Sequence, residues 1–176
     1  MEILAEHTST TVINAPIEKI NLTQWLFTLT DHEYQACSTA HIAGGSSVTD
    51  DGKMISINVE MVGDNLLVQH YHEDISEAGH CRVSSISDSI SPLGRATMGI
   101  TWELKIKKIS DEITEFSNHI IVLLTEDLKI LLEKAGITDL ALVKPEMLKN
   151  AAKHNHEETP LFAKDIEKKA NEDTWN

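Results

Sequence analysis

The sequence predicts an α+β fold in which a curved antiparallel sheet packs against helical segments lying at both ends of a block of strands. Three observations predict it. The first is the stretch from Ala96 to Leu124. Its opening arm alternates Met98, Ile100, Trp102, Leu104 and Ile106 with Gly99, Thr101, Glu103, Lys105 and Lys107. Successive side chains of a strand leave opposite faces, so a period of two marks a half-buried strand. Ser110, Asp111 and Glu112 interrupt it before a second arm, Ile113 to Leu124, and the two arms make a long antiparallel hairpin. The second is a series of turn signals between alternating runs: Asp50-Asp51-Gly52-Lys53, Gly63-Asp64-Asn65, Glu77-Ala78-Gly79 and Ser91-Pro92-Leu93-Gly94. The third is helical patterning on both flanks of the strand block.

Each element has its own justification. Thr8 to Asn14 is rich in β-branched residues and reads as the first strand, closed by Asn14-Ala15-Pro16. Ile17, Ile20, Leu22, Trp25, Leu26 and Leu29 then approximate a helical stripe, weakened in its middle by Asn21 and Thr23. Asp31 to Gln35 carries no decisive pattern. Cys37 to Ile42 reads as a short strand running into a turn at Gly44-Gly45. Lys53 to Met61, Leu66 to Asp74 and His80 to Ile90 supply the next strands, for about six after the helical segment. Thr125 caps a helix with Glu126 and Asp127 in its first turn, and Gly136 ends it. Beyond it, Pro145 and Thr159-Pro160 mark further helical starts, while Lys153 to Glu158 reads as solvated linker. The expected organisation is a single domain over 1–176, with a core at about 8–135 and a divided helical extension at about 137–172.

Composition narrows the function classes. With 15 basic and 28 acidic residues the formal charge is -13, and such a field repels nucleic-acid phosphates and anionic membranes. Cys37 and Cys81 lack the spacing of a redox or zinc motif and read as ordinary buried thiols. The N-terminus lacks the pattern of a secretory signal and no apolar run approaches a membrane span, so a cytoplasmic location without integral membrane association is the expectation. No GxGxxG, P-loop, GxSxG or HExxH motif is present, and no cofactor is implied.

The phrase STTVINAPIEKI, and Thr10 to Pro16 within it, resembles the opening strand and helix entrance of the START-like, Bet v 1-like superfamily, also called SRPBCC or polyketide-cyclase-like. The later order of six strands and a helical C-terminus is similar to its helix-grip fold, the likeness covering roughly Thr8 to Ala135. The resemblance implies a cavity between curved sheet and covering helix. It is compatible with lipid or metabolite carriers, with cyclases and dehydratases, and with proteins that regulate other proteins.

Among residues that could carry chemistry, His70 and His72 form the sharpest local pair, because a strand projects both to one face. They are the candidate acid–base residues. With Glu60, Glu73, Asp74 or His119 they could also hold a metal, but no further ligand has diagnostic spacing and no metal site is assigned. Ordinary edge histidines are the competing account. Trp102, Tyr71, Arg82, Asn118 and His119 are the candidate ligand contacts: Trp102 as core or cavity wall, Tyr71 opposite the histidine pair, Arg82 as an anchor for an acidic group. Asn118 and His119 leave opposite faces of one strand, so only one of them can point inward. His154 and His156 read as a solvated tract with adventitious metal affinity.

The leading expectation is a protein that binds a small hydrophobic or aromatic metabolite or lipid in an internal cavity. The alternatives are a cyclase- or dehydratase-like enzyme using a cavity histidine for proton transfer, and a protein-interaction module. Whether the chain is an enzyme, and whether it forms a homodimer, are left open at this level.

Overall fold

The computed structural model describes residues 1–175. Seven antiparallel strands form one sheet in the order β1-β7-β6-β5-β4-β3-β2. They are β1 (Ile3–Ile13), β2 (His41–Val48), β3 (Met54–Val62), β4 (Asn65–Ser76), β5 (His80–Ser91), β6 (Gly94–Lys108) and β7 (Thr114–Leu123). Between β1 and β2 lie a 3-10 turn at Ile17–Lys19 and two short helices, α1 (Leu22–Thr28) and α2 (Asp31–Ala36). After β7 come α3 (Glu126–Lys134), a 3-10 turn at Leu140–Leu142 and the long α4 (Lys144–Asn171). The sheet curves around α4, which packs chiefly on β1 and also meets β7 and β3. This is the helix-grip arrangement, α+β as the sequence predicts.

The alternation read for the long hairpin holds: Met98, Ile100, Trp102 and Leu104 are buried, as are Phe116 and Asn118 across from them on β7. Ile106 lies opposite Phe116, and Leu104 opposite Asn118, so the two inner faces share one register. Thr125 caps α3 by accepting from the Leu128 N–H, and Gly136 follows with φ of 78°.

Four local expectations need correction. First, β1 starts at Ile3 instead of Thr8, because Leu4 and Ala5 are buried against the core. Second, Asp31–Ala36 is a helix: Thr30 and Glu33 form a reciprocal capping box, a signal present in the sequence. Third, Gly44 and Gly45 lie inside β2 and make no turn. A Cβ on Gly44 would stand 2.9 Å from the Tyr34 ring, so the glycine makes room for an aromatic side chain.

The fourth correction matters most. Lys153 to Glu158 is no linker, and the C-terminal region is not divided at Pro145 or Pro160. Pro145 occupies the first turn of α4 and Pro160 lies inside a continuous helix of 28 residues. Its buried stripe is Asn155, Glu158, Thr159, Phe162, Ala163, Ile166 and Ala170. The helical period is intact, but its first half is written in polar residues that are buried and hydrogen-bonded. An apolar stripe is what a sequence reading looks for. No described helix is long and apolar enough to cross a membrane.

Candidate functional site

A hollow of about 70 Å³ lies between the concave face of the sheet and α4. Leu67, Met98, Ile100, Trp102, Ile120 and Met147 give it an apolar wall. Its lining follows α4 from Met147 and Asn150 to His154 and Glu158. That spans about 16 Å at roughly 1.5 Å per residue. At the Met147 end the β3–β4 turn closes in: Gly63 has φ of 60°, and a Cβ there would stand 2.5 Å from Asn150 Nδ2. At the far end the lining turns polar.

That polar end is built from two pairs, each local in its own element. On the sheet, His41 of β2 faces Glu60 of β3 as a direct cross-strand partner. On α4, His154 and Glu158 are one turn apart and share a face. The fold brings the pairs together. His154 Nε2 lies 3.0 Å from Glu60 Oε2 and 3.3 Å from Glu158 Oε2. His41 Nε2 lies 3.2 Å from Glu158 Oε2 and 3.6 Å from Glu60 Oε2. One ligand-type atom from each of the four residues falls within 4.8 Å of the others.

Surrounding groups fix each of these atoms. His41 Nδ1 is 2.6 Å from the Tyr34 carbonyl oxygen. A carbonyl only accepts, so Nδ1 carries the proton and Nε2 is turned to the carboxylates. The His41 ring stacks on Tyr34 at 3.8 Å, the ring for which Gly44 leaves room. Tyr34 donates its hydroxyl to Glu60 Oε2 at 2.9 Å, and Gln69 Nε2 donates to Glu60 Oε1 at 2.9 Å. Asn118 Nδ2 donates to Glu158 Oε1 at 2.9 Å, and the Trp102 indole donates to Asn118 Oδ1 at 2.8 Å. Beside the cluster, Glu157 accepts from the Thr39 N–H and Ser38 Oγ, pinning the α2–β2 loop to α4.

Charge is held here against burial. Desolvation opposes the His154 imidazolium, yet Glu158 and Glu60 on either side raise its pKa from 6.5 to about 11. Burial also pushes Glu158 up, but the His154 charge and hydrogen bonds from His154 and His41 bring it down to about 2. Glu60 is lowered in the same way, burial being outweighed by His154. Burial, with Glu60 and Glu158 nearby, drives the Tyr34 and Tyr71 hydroxyls well above their ordinary range, so both stay protonated donors. Such a concentration of opposed, buried titratable groups beside a hollow has the features of a functional site. The donor set, two imidazoles and two carboxylates, also suits a divalent metal ion.

The structure places the sequence candidates unevenly. Tyr71 and Trp102 line the hollow, their rings 5.6 Å apart. Asn118 is fully buried and holds Glu158, whereas His119 faces away and meets Thr8 Oγ1 at 2.8 Å. Arg82 lies 3.6 Å from Asp74 and is 43% exposed, outside the hollow. His70 and His72 are exposed on the outer face of β4, opposite to Gln69 and Tyr71. His72 borders a shallow outer groove with Ser84 and Ser85. The residues the sequence reading missed are His41, Glu60 as a site residue with inward partners, His154 and Glu158. A helical H-x-x-x-E was the available signal for the last two. Cys37 and Cys81 are buried free thiols, pushed by burial to about 12 and about 11.

Three solved structures share this architecture. The Zhui aromatase/cyclase of Streptomyces sp. R1128 aligns over 93% of this chain and 94% of its own, with TM-score 0.66 and 10% identity. A protein from Thermus thermophilus aligns over 92% of this chain and 96% of its own, with TM-score 0.55 and 16% identity. The chain has the START-like, polyketide-cyclase-like fold. A di-domain ARO/CYC from the BE-7585A biosynthetic pathway shares this START-like fold over 92% of the present chain but 49% of its own, with TM-score 0.54 and 12% identity. The chain thus spans about half of that di-domain protein. No protein-family model matches the sequence, and no curated protein matches it.

Proposed function

We propose that the protein is an enzyme acting on a small, partly apolar carbonyl compound, by proton transfer of the cyclase or dehydratase kind. One observation carries this reading: His41, Glu60, His154 and Glu158 converge from two strands and a helix on the inner end of an apolar hollow. A carrier needs the apolar wall alone. Three buried titratable groups and the half-buried His154 are costly to bring together away from water, and their convergence beside the hollow gives that arrangement a use.

The size of the hollow bounds the substrate. At about 70 Å³ it is well below the roughly 300–1,000 Å³ of sites for drug-sized ligands, so a small ring or short acyl chain is the matching class. Its apolar body would lie on Leu67, Ile100 and Trp102, with the oxygen toward the polar end. There the developing enolate oxygen receives hydrogen bonds from His154 and Tyr71, while the proton of the carbon beside the carbonyl passes to water, the two carboxylates being held ionised and weakly basic by His154. Tyr71 suits this role because its hydroxyl, unlike that of Tyr34, is not tied to Glu60. The START-like fold is shared with proteins named as aromatase/cyclases, which puts ring closure and dehydration of keto compounds first among the reactions to test.

The test uses small aryl ketones and β-keto esters with the purified full chain in D2O. Binding is read by quenching of tryptophan fluorescence and proton exchange by NMR. The expected result is saturable quenching with exchange at the carbon beside the carbonyl, reduced by roughly 10²-fold or more in His154→Gln. Saturable capture without exchange makes the protein a carrier. Absence of both capture and exchange overturns the cavity reading.

A further inference from the structure

The strongest unassigned feature is the relation among the four inward atoms of the polar cluster, considered apart from any substrate. We propose that His41 Nε2, Glu60 Oε2, His154 Nε2 and Glu158 Oε2 form a binding site for one divalent first-row metal ion, of the class of Zn2+ or Fe2+. Four histidine–carboxylate separations are 3.6, 3.2, 3.0 and 3.3 Å. A tetrahedral shell of about 2.0–2.2 Å bonds sets its ligand atoms about 3.3–3.6 Å apart. The four histidine–carboxylate edges therefore fall near those of such a shell, and with all four atoms within 4.8 Å of one another the remaining two separations close by side-chain shifts when an ion binds.

A second observation points the same way. Three of the four ligands have their other polar atom fastened by a partner outside the cluster. His41 Nδ1 donates to the Tyr34 carbonyl, Glu60 Oε1 accepts from Gln69, and Glu158 Oε1 accepts from Asn118. Outer partners of this kind set the tautomer of a ligating histidine and the orientation of a ligating carboxylate. Here they leave Nε2 and two Oε2 atoms turned to one point. With Nδ1 turned to the Tyr34 carbonyl, His41 Nε2 faces two carboxylate oxygens, Glu158 Oε2 at 3.2 Å and Glu60 Oε2 at 3.6 Å.

Charge also favours a divalent ion. Glu60 and Glu158 are buried at 7% and 4% exposure, so two negative charges require compensation inside the protein. One divalent ion balances them fully once His154 releases to solvent the proton that it holds between the two carboxylates in the metal-free protein. Neither histidine pair expected from spacing offers this: His70 and His72 are exposed on β4, and His156 faces solvent from α4. Glu60, His154 and Glu158 line the hollow, so a bound ion would meet a substrate oxygen there. The ligand set stands on its own geometry. Only its use in turnover rests on the enzymatic reading above, where a substrate oxygen would enter as a fifth ligand beside the four from the protein.

The experiment strips the full chain with chelator and titrates it with ZnCl2 by calorimetry, with Co2+ as a spectroscopic probe. The expected result is one Zn2+ per chain and the intense visible bands of four-coordinate Co2+. Glu60→Gln and His154→Gln, each checked for folding by circular dichroism, lose stoichiometric uptake. Tyr34→Phe, which leaves all four ligands in place, weakens it by roughly 10- to 100-fold. The double variant His70→Ala/His72→Ala binds as the parent does. Failure of the folded parent to take up stoichiometric zinc overturns the site. So does uptake that survives both Glu60→Gln and His154→Gln. Ketone capture and exchange by a protein that takes up no zinc sinks the metal site alone, whereas zinc uptake without capture supports it and counts against the enzymatic reading.

Discussion

The chain carries two H-x-H motifs, one on β4 and one on α4, and they behave in opposite ways. On β4, His70 and His72 project to the same face, as a two-residue spacing on a strand requires, but that face is solvent. On α4, His154 and His156 are separated by the helical twist, so one points inward and the other outward. The strand pair looks like a site because its members are together. The helix pair supplies the site because they are apart. His154 then finds its partners across the fold: Glu60 on the sheet and Glu158 one turn along the helix. Spacing within an element tells which side chains share a face, while convergence between elements decides which face matters.

Several changes would break or sharpen this contrast. The largest effect is expected at Glu158. Replacing it with Leu leaves His154, His41 and Asn118 facing an apolar group, and breaking a buried, hydrogen-bonded charge pair costs roughly 3–5 kcal/mol. Urea unfolding measures it. Replacing both outer histidines, His70→Ala/His72→Ala, should stay within about 0.5 kcal/mol of the parent by the same method.

A smaller loss follows from Gly44→Val, whose side chain would meet the Tyr34 ring and push it off His41 and Glu60. Overpacking of this kind costs roughly 1–3 kcal/mol. Trp102→Phe removes the indole donor from Asn118 Oδ1 while keeping most of the ring volume. A buried acceptor left unpaired costs roughly 1–3 kcal/mol, and the lower part of that range is expected because the hollow adjoins Trp102.

The pH dependence of the metal-free protein has a sign on each side. His154 is raised from 6.5 to about 11, so its contribution to stability is complete below about 6.5 and is lost as pH climbs toward 11. Glu158 is lowered from 4.5 to about 2, so its contribution is complete above about 4.5 and is lost as pH falls toward 2. Both limbs describe one coupled cluster and their sizes do not add. Thermal unfolding of the chelator-treated protein should be steadiest between those limits, and His154→Gln should flatten the alkaline limb.

Much of the sheet was legible because a strand with one buried face writes its pattern at a period of two. Met98, Ile100, Trp102 and Leu104 are apolar and inward, and the turn residues between strands are glycine, aspartate and asparagine. The first half of α4 was not legible. Its inward positions are Asn155, Glu158 and Thr159, whose burial depends on partners far away in the chain, such as Asn118 and His41. A polar residue next to Lys153 and Glu157 reads as solvated until the partner is known. Pro160 added a false stop, since a proline inside a helix is costly unless packing holds the helix together, as Phe162 and Ile166 do here. Of the candidate contacts, Trp102 was readable as core or cavity wall, whereas alternation alone leaves open whether Tyr71 faces the cavity and which of Asn118 and His119 points inward. The His41–Glu60 register depends on how β2 pairs, and Gly44-Gly45 has the composition of a turn although it lies within that strand.

The most direct test of this convergence is the protonation of His154 itself. Histidine side-chain 15N–1H correlation spectra of the metal-free protein, followed as a function of pH, should show the His154 ring as an imidazolium held between two carboxylates well into the alkaline range, in line with its pKa of about 11. A His154 ring that loses its proton near the ordinary value of about 6.5 would contradict the account, because it would place Glu60 and Glu158 out of its reach.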